Sequence, residues 1–162
     1  MIYRSDVDLF LYGLSDVKAA KRKILEIYES VEACSSEEVT CIRTTRAITI
    51  VSQFPQRYIS TRSFLNCRHI QIILRLYSSP SEILSGFDVD ACAVGYDGTQ
   101  VYASPRAFIS HITQTVTVDV AMQSASYEMR LIKYASRGFE IYVPNLRRDE
   151  ISLAVLTSYM TL

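Results

Sequence analysis

Ser5-Asp6-Val7-Asp8-Leu9-Phe10-Leu11-Tyr12-Gly13 is the stretch on which the reading of this chain turns. The short apolar run from Val7 to Tyr12, closed by a glycine, predicts a β-strand ending in a turn. Its charged start is unusual. Side chains two residues apart leave the same face of a strand, so Asp6 and Asp8 point one way, about 6.6 to 6.8 Å apart along the backbone. Paired carboxylates repel each other unless a cation compensates them, and Mg²⁺ is held by one or two carboxylates together with substrate phosphates. Taken alone, D-x-D is equally the pattern of solvated aspartates at a strand end.

Working outward, Ser15 can cap a helix over about residues 16–32, because Val17, Ala20, Ile24, Ile27, Tyr28 and Val31 recur at three- and four-residue intervals. Two β-branched runs, residues 39–43 and 47–52, flank a polar turn at Thr44-Thr45 and predict a hairpin. The apolar centre of residues 69–77, HIQIILRLY, suits an inner strand. Ser79-Pro80-Ser81-Glu82 starts a short helix ending near Gly86. Residues 89–96 predict a strand, and the turn pair Asp97-Gly98 leads to another over residues 100–103. Ser104-Pro105 opens a helix through about Ile112, residues 126–137 form a further helix stopped by Gly138, and residues 139–143 a strand. Residues 60–67 suit a loop insertion, and residues 146–162 fit neither period cleanly, with a helix preferred.

The expected fold is therefore α+β (or α/β): one domain over residues 1–162, with a carboxylate-bearing sheet core at 1–103 and a helical and strand extension at 104–162. Seventeen basic and seventeen acidic residues leave no net charge, which argues against gripping nucleic acid by bulk charge. No apolar run approaches the roughly 20 residues of a membrane-spanning helix, and no signal-peptide pattern opens the chain. Cys34, Cys41, Cys67 and Cys92 lack zinc-ligand spacing, and Cys41 and Cys92, inside apparent strands, suit small, buried residues in a reducing compartment. An intracellular protein, cytoplasmic or nuclear, is expected.

Asp88-Val89-Asp90 repeats the carboxylate pattern at the mouth of a later strand, and neighbouring strands lie only about 4.8 Å apart. Three or four carboxylates converging would support two-metal phosphoryl chemistry on a nucleotide triphosphate. Arg130, Lys133 and Arg137 fall at helical spacing, either as a basic stripe facing phosphates or as a solvated face. Arg75 can contact a phosphate or neutralise Asp88.

Asp6-Val7-Asp8, Ile70-Gln71-Ile72-Ile73 and Phe87-Asp88-Val89-Asp90, in that order around a helix and a hairpin, resemble the polymerase β-like nucleotidyltransferase superfamily. More narrowly, SDVDLFLYGL, HIQIILRLYSSPSEILSGFDVDACAVGYDG and YEMRLIKYASRGFEIYVP are similar to an uncharacterised eukaryotic branch in which such a domain accompanies ankyrin repeats, of which this chain has no pattern. The resemblance implies a mixed central sheet with flanking helices. It also implies two Mg²⁺ ions held by Asp6, Asp8 and Asp90, with Asp88 as substitute or supporting group. The reaction it implies is transfer of a nucleoside monophosphate from a nucleotide triphosphate to a hydroxyl acceptor. The superfamily pattern places a Gly-Ser or Gly-Gly pair on a helix about ten residues before the first aspartate, to hold phosphates. Here only Met1 to Ser5 precede Asp6, so an N-terminally truncated domain is expected, with Ser5 left as a phosphate contact. The rival expectation is a catalytically silent domain that uses the same fold to bind a nucleotide or a protein.

Overall fold

The computed structural model describes residues 6–35, 38–52 and 69–147; Ser5, the expected loop at 60–67 and the segment beyond 147 lie outside them. The chain divides into two compact units, Met1–Ile83 and Leu84–Leu162. Both mix helices and strands, as expected. No helix among the described residues is long and apolar enough to cross a membrane.

In the first unit β1 (Val7–Tyr12) leads to α1 (Val17–Cys34), the hairpin β2 (Val39–Arg43) and β3 (Ala47–Ser52), then β4 (Ile70–Tyr77) and α2 (Pro80–Ser85), within which the unit ends. The sheet order is β1-β4-β3-β2, with β1 parallel to β4 and the other pairs antiparallel. The run HIQIILRLY thus does form an interior strand. Leu11, Ala20, Ile50 and Ile72 are buried together, with Leu9, Ile24, Ile27, Tyr28, Val31, Ile48 and Ile70 packed around them. Those helical positions form the apolar stripe of α1, so the helix covers one face of the sheet. Its cap is Asp16, one residue later than expected. The Asp16 carboxylate accepts the Ala19 N–H at 2.8 Å, while Ser15 donates only to Asp16. Gly13, at φ +69°, turns the chain out of β1, and its N–H closes the parallel pair on the Tyr77 carbonyl at 2.9 Å.

The second unit begins with a 3₁₀ turn at Asp90–Cys92, followed by the hairpin β5 (Val94–Tyr96) and β6 (Val101–Ala103). The strand expected over residues 89–96 is confined to its last three residues. The cause is that Val89, Asp90, Ala91 and Ala93 are all buried, where a two-faced strand would alternate, and Asp90 is drawn inward by its own hydrogen bonds. At the hairpin tip one carboxylate oxygen of Asp97 accepts the Thr99 N–H, the Thr99 hydroxyl and the Gln100 N–H. These bonds hold its carboxyl far below the usual range.

Next come α3 (Pro105–Thr113), capped by Ser104, then β7 (Thr115–Thr117), α4 (Tyr127–Ala135) and β8 (Glu140–Tyr142), which pairs parallel to β7. Strand β7, three residues long, is too short for its period to show in the sequence. Val89, Ala91, Val116 and Tyr127 form the core of this unit, with Leu131, Tyr134, Phe139 and Ile141 packed against it.

The Cys92 thiol donates to the Tyr134 hydroxyl at 3.2 Å. Burial first, and then this contact, push the Tyr134 phenol up to about 12. A group whose folded-state pKa is raised contributes stability that is complete below its ordinary value near 10 and is lost as pH rises through about 12. Alkaline titration of tyrosinate absorbance should therefore show a late-ionising tyrosine in the wild type that is missing from Tyr134→Phe; superimposable curves once one ordinary phenol is subtracted would contradict this.

Candidate functional site

Strand alternation fixes where the carboxylates of β1 point. Leu9 and Leu11 pack toward α1, so Asp8 and Phe10 occupy the opposite face of the sheet. Asp8 lies level with Gln71 of β4, and Gln71 lies level with Thr49 of β3. The Gln71 amide donates to the Thr49 hydroxyl at 3.5 Å. A polar row, Asp8-Gln71-Thr49, therefore crosses three strands on the face away from α1. Just before β1, Asp6 is exposed and sits 3.8 Å from His69 Nδ1, an ion pair when that ring is protonated. Gln71, Thr49 and His69 were not singled out as site residues from sequence. The signal for Gln71 was present: it is the one polar side chain in the apolar start of β4, and period-2 alternation sends it to the face of Asp8.

Asp88 and Asp90 belong to the second unit and have a different environment. Asp88 is 4% exposed, and one of its oxygens accepts from Arg130 Nη2 at 2.7 Å. Its other oxygen, Oδ1, has no hydrogen-bond partner among the described residues, and neither has the buried Nε of Arg130. Arg130 donates also to the hydroxyls of Ser124 and Ser126. Asp90 accepts from Arg106 Nη1 at 3.3 Å and from the Thr117 N–H at 3.1 Å. Arg106 Nη2 in turn reaches the carbonyls of Leu84 and Phe87. One guanidinium thus ties three points of the segment entering the 3₁₀ turn. Arg106, unremarked in the sequence, is the residue that organises this corner.

The expected basic stripe on α4 divides by role. Arg130 turns inward to Asp88, Arg137 lies over the Tyr134 ring with 5.2 Å between guanidinium and centroid, and Lys133 remains exposed. Arg75 pairs with Glu82 at 3.1 Å and lies over the Tyr77 ring at 4.7 Å, so its carboxylate partner is Glu82. Glu82 also accepts from the Ser78 N–H and hydroxyl, which, with Arg75, holds its carboxyl below the usual range.

These environments decide what fits a hard cation. Asp8 on β1 and Asp6 just before it are exposed oxygen donors, the kind that suits an ion keeping water and phosphate in its shell. Asp88 and Asp90, both buried, already have their charge compensated by the half-buried guanidinium groups of Arg130 and Arg106. Within either unit, no group of three or more His, Cys, Asp or Glu among the described residues is placed to hold a metal ion.

Removing one partner of a buried ion pair strands the other charge in low dielectric, a cost of about 3 kcal/mol or more. Arg130→Ala should therefore lower the urea stability of the second unit by about 3 kcal/mol, whereas Lys133→Ala, at an exposed position of the same helix, should leave stability within about 0.5 kcal/mol. Equal effects of the two substitutions would refute the assignment.

Comparison with known proteins adds the following. A family model described as Gabija anti-defense 2 family protein matches residues 4–114, more than half of the chain. An uncharacterised protein of Acanthamoeba polyphaga mimivirus is 36% identical over 158 residues, an alignment covering 89% of this chain and 32% of the relative. The chain spans about a third of the length of that curated relative. No solved structure matches. Neither the family's description nor the relative's names a nucleotidyltransferase. With a model matched over most of its described core, the chain belongs to the Gabija anti-defense 2 (Gad2) family, a family of anti-defence proteins.

Proposed function

We propose that this chain serves an anti-defence protein as a nucleotidyltransferase-type domain, working on a nucleotide triphosphate and a hydroxyl acceptor. The observation that carries the reading is exposed Asp8 of β1, on the same sheet face as Gln71 and Thr49, with exposed Asp6 just before the strand. Asp6 and Asp8 would hold Mg²⁺, which when bound supplies charge neutralisation for phosphate oxygens and acidifies a hydroxyl. In such a transfer the acceptor oxygen bonds to the α-phosphorus as the α–β phosphoanhydride breaks. Pyrophosphate leaves, and the hydroxyl proton passes to a base or to water.

The chain's own residues contribute positioning. The parallel pairing of β1 with β4 fixes the direction of Asp8, and the Gln71 amide beside it is a neutral donor for a ligand oxygen. His69 is within ion-pair reach of Asp6, so its protonated form competes with a cation for that carboxylate.

A second reading has its own support. Arg106 and Arg130 already neutralise Asp90 and Asp88, which suits a domain that keeps the fold and binds without reacting. Pyrophosphate release from mixed nucleotide triphosphates, with and without Mg²⁺, separates the two. The transferase reading predicts Mg²⁺-dependent release that falls to background in Asp6→Asn/Asp8→Asn. No release from the wild type, or release indifferent to the double substitution, overturns it in favour of the binding reading.

A further inference from the structure

The face of the sheet that packs on α1 is not filled across its whole width. At the C-terminal ends of β1 and β4 a cavity of about 420 Å³ opens beside the first turns of α1. Its walls are apolar, from Leu11, Ile24, Ile48 and Leu76, while Lys21, Arg43 and Arg75 also line it. A second recess of about 360 Å³ shares Lys21, Ile24, Arg43 and Ile48 and continues along α1 past Leu25 and Tyr28. Among the described residues, three cations and no carboxylate line these two hollows.

The cations differ in what they already hold. Arg75 is occupied by Glu82 and the Tyr77 ring. Lys21 and Arg43 have no acidic partner among the described residues. Like charges gathered over an apolar floor repel one another and gain from an anion that bridges them. An apolar trough gains in turn by shedding water onto a flat or aliphatic body. The volume lies within the range of about 300 to 1,000 Å³ usual for small-molecule sites.

We infer that this cavity binds an amphipathic organic anion, with its phosphate or carboxylate head between Lys21 and Arg43 and its apolar body against Ile24 and Ile48. The site lies on the α1 face of the sheet, opposite Asp8, and rests on none of the residues used in the proposed transfer. A ligand there would leave the carboxylate face open.

The test uses 1-naphthyl phosphate as probe, with inorganic phosphate and 1-naphthol as its two halves, followed by calorimetry and by amide chemical shifts. The inference predicts binding of the whole probe at least tenfold tighter than of either half, with shifts at Lys21, Ile24, Arg43 and Ile48. Lys21→Ala/Arg43→Ala, both exposed positions, should weaken it at least tenfold while circular dichroism stays unchanged. Asp6→Asn/Asp8→Asn should bind as the wild type does. Failure of the wild type to bind, binding untouched by the Lys21/Arg43 substitutions, or shifts elsewhere on the domain would each overturn it. Replacing the phosphate by a carboxylate in the probe distinguishes the two head groups.

Discussion

Burial of Leu9 and Leu11 against α1 is the constraint from which the geometry of the first unit follows. A strand alternates, so once those two leucines are committed to the core with Ile50 and Ile72, Asp8 must stand on the other face. The parallel pairing with β4 then brings Gln71 level with Asp8, and β3 brings Thr49 level with Gln71. A slip of one residue would place Asp8 among the isoleucines, where an unpaired carboxylate is costly. Apolar burial on one side therefore holds the polar row in place on the other.

The two Asp-Val-Asp segments show how context gives one pattern two uses. In the first unit the pair begins a strand and remains exposed. In the second it enters a 3₁₀ turn, and each carboxylate meets an arginine: Asp88 with Arg130 from α4, Asp90 with Arg106 from α3. Those guanidinium groups come from 16 and 42 residues further along the chain. Their partnership is a tertiary fact that no local spacing expresses. It makes the second pair a fastening of helices to the turn, stabilised by charge-assisted hydrogen bonds.

Much of the architecture was legible because it rests on local rules. The stripe of α1, the Thr44-Thr45 hairpin, the Asp97-Gly98 tip and the Ser104-Pro105 helix start all follow from period, cap or turn chemistry. The interior place of β4 followed from its apolar run. What escaped was decided by partners distant in sequence. The 3₁₀ turn at Asp90–Cys92 replaced half of an expected strand because Asp90 is bonded to Thr117 and Arg106. Strand β7 exists because β8 pairs with it. Within the candidate site, Asp6 and Asp8 stood out by spacing, and Gln71 was readable from alternation. The roles of Arg75, Arg106 and Arg130 required their acidic partners to be known. Membership of an anti-defence family was likewise beyond anything composition or periodicity expresses.

The proposed function stands on cation binding by the exposed Asp6 and Asp8 at the entrance to β1, and not by the arginine-compensated Asp88 and Asp90. Mn²⁺ added in substoichiometric amounts, read by paramagnetic broadening of assigned amide signals, tests it directly. The account predicts selective loss of signal around residues 6–9 and 69–71, reversed by excess Mg²⁺ and absent in Asp8→Asn. Broadening centred on residues 88–90 with residues 6–9 untouched, or no selective broadening at all, would contradict it.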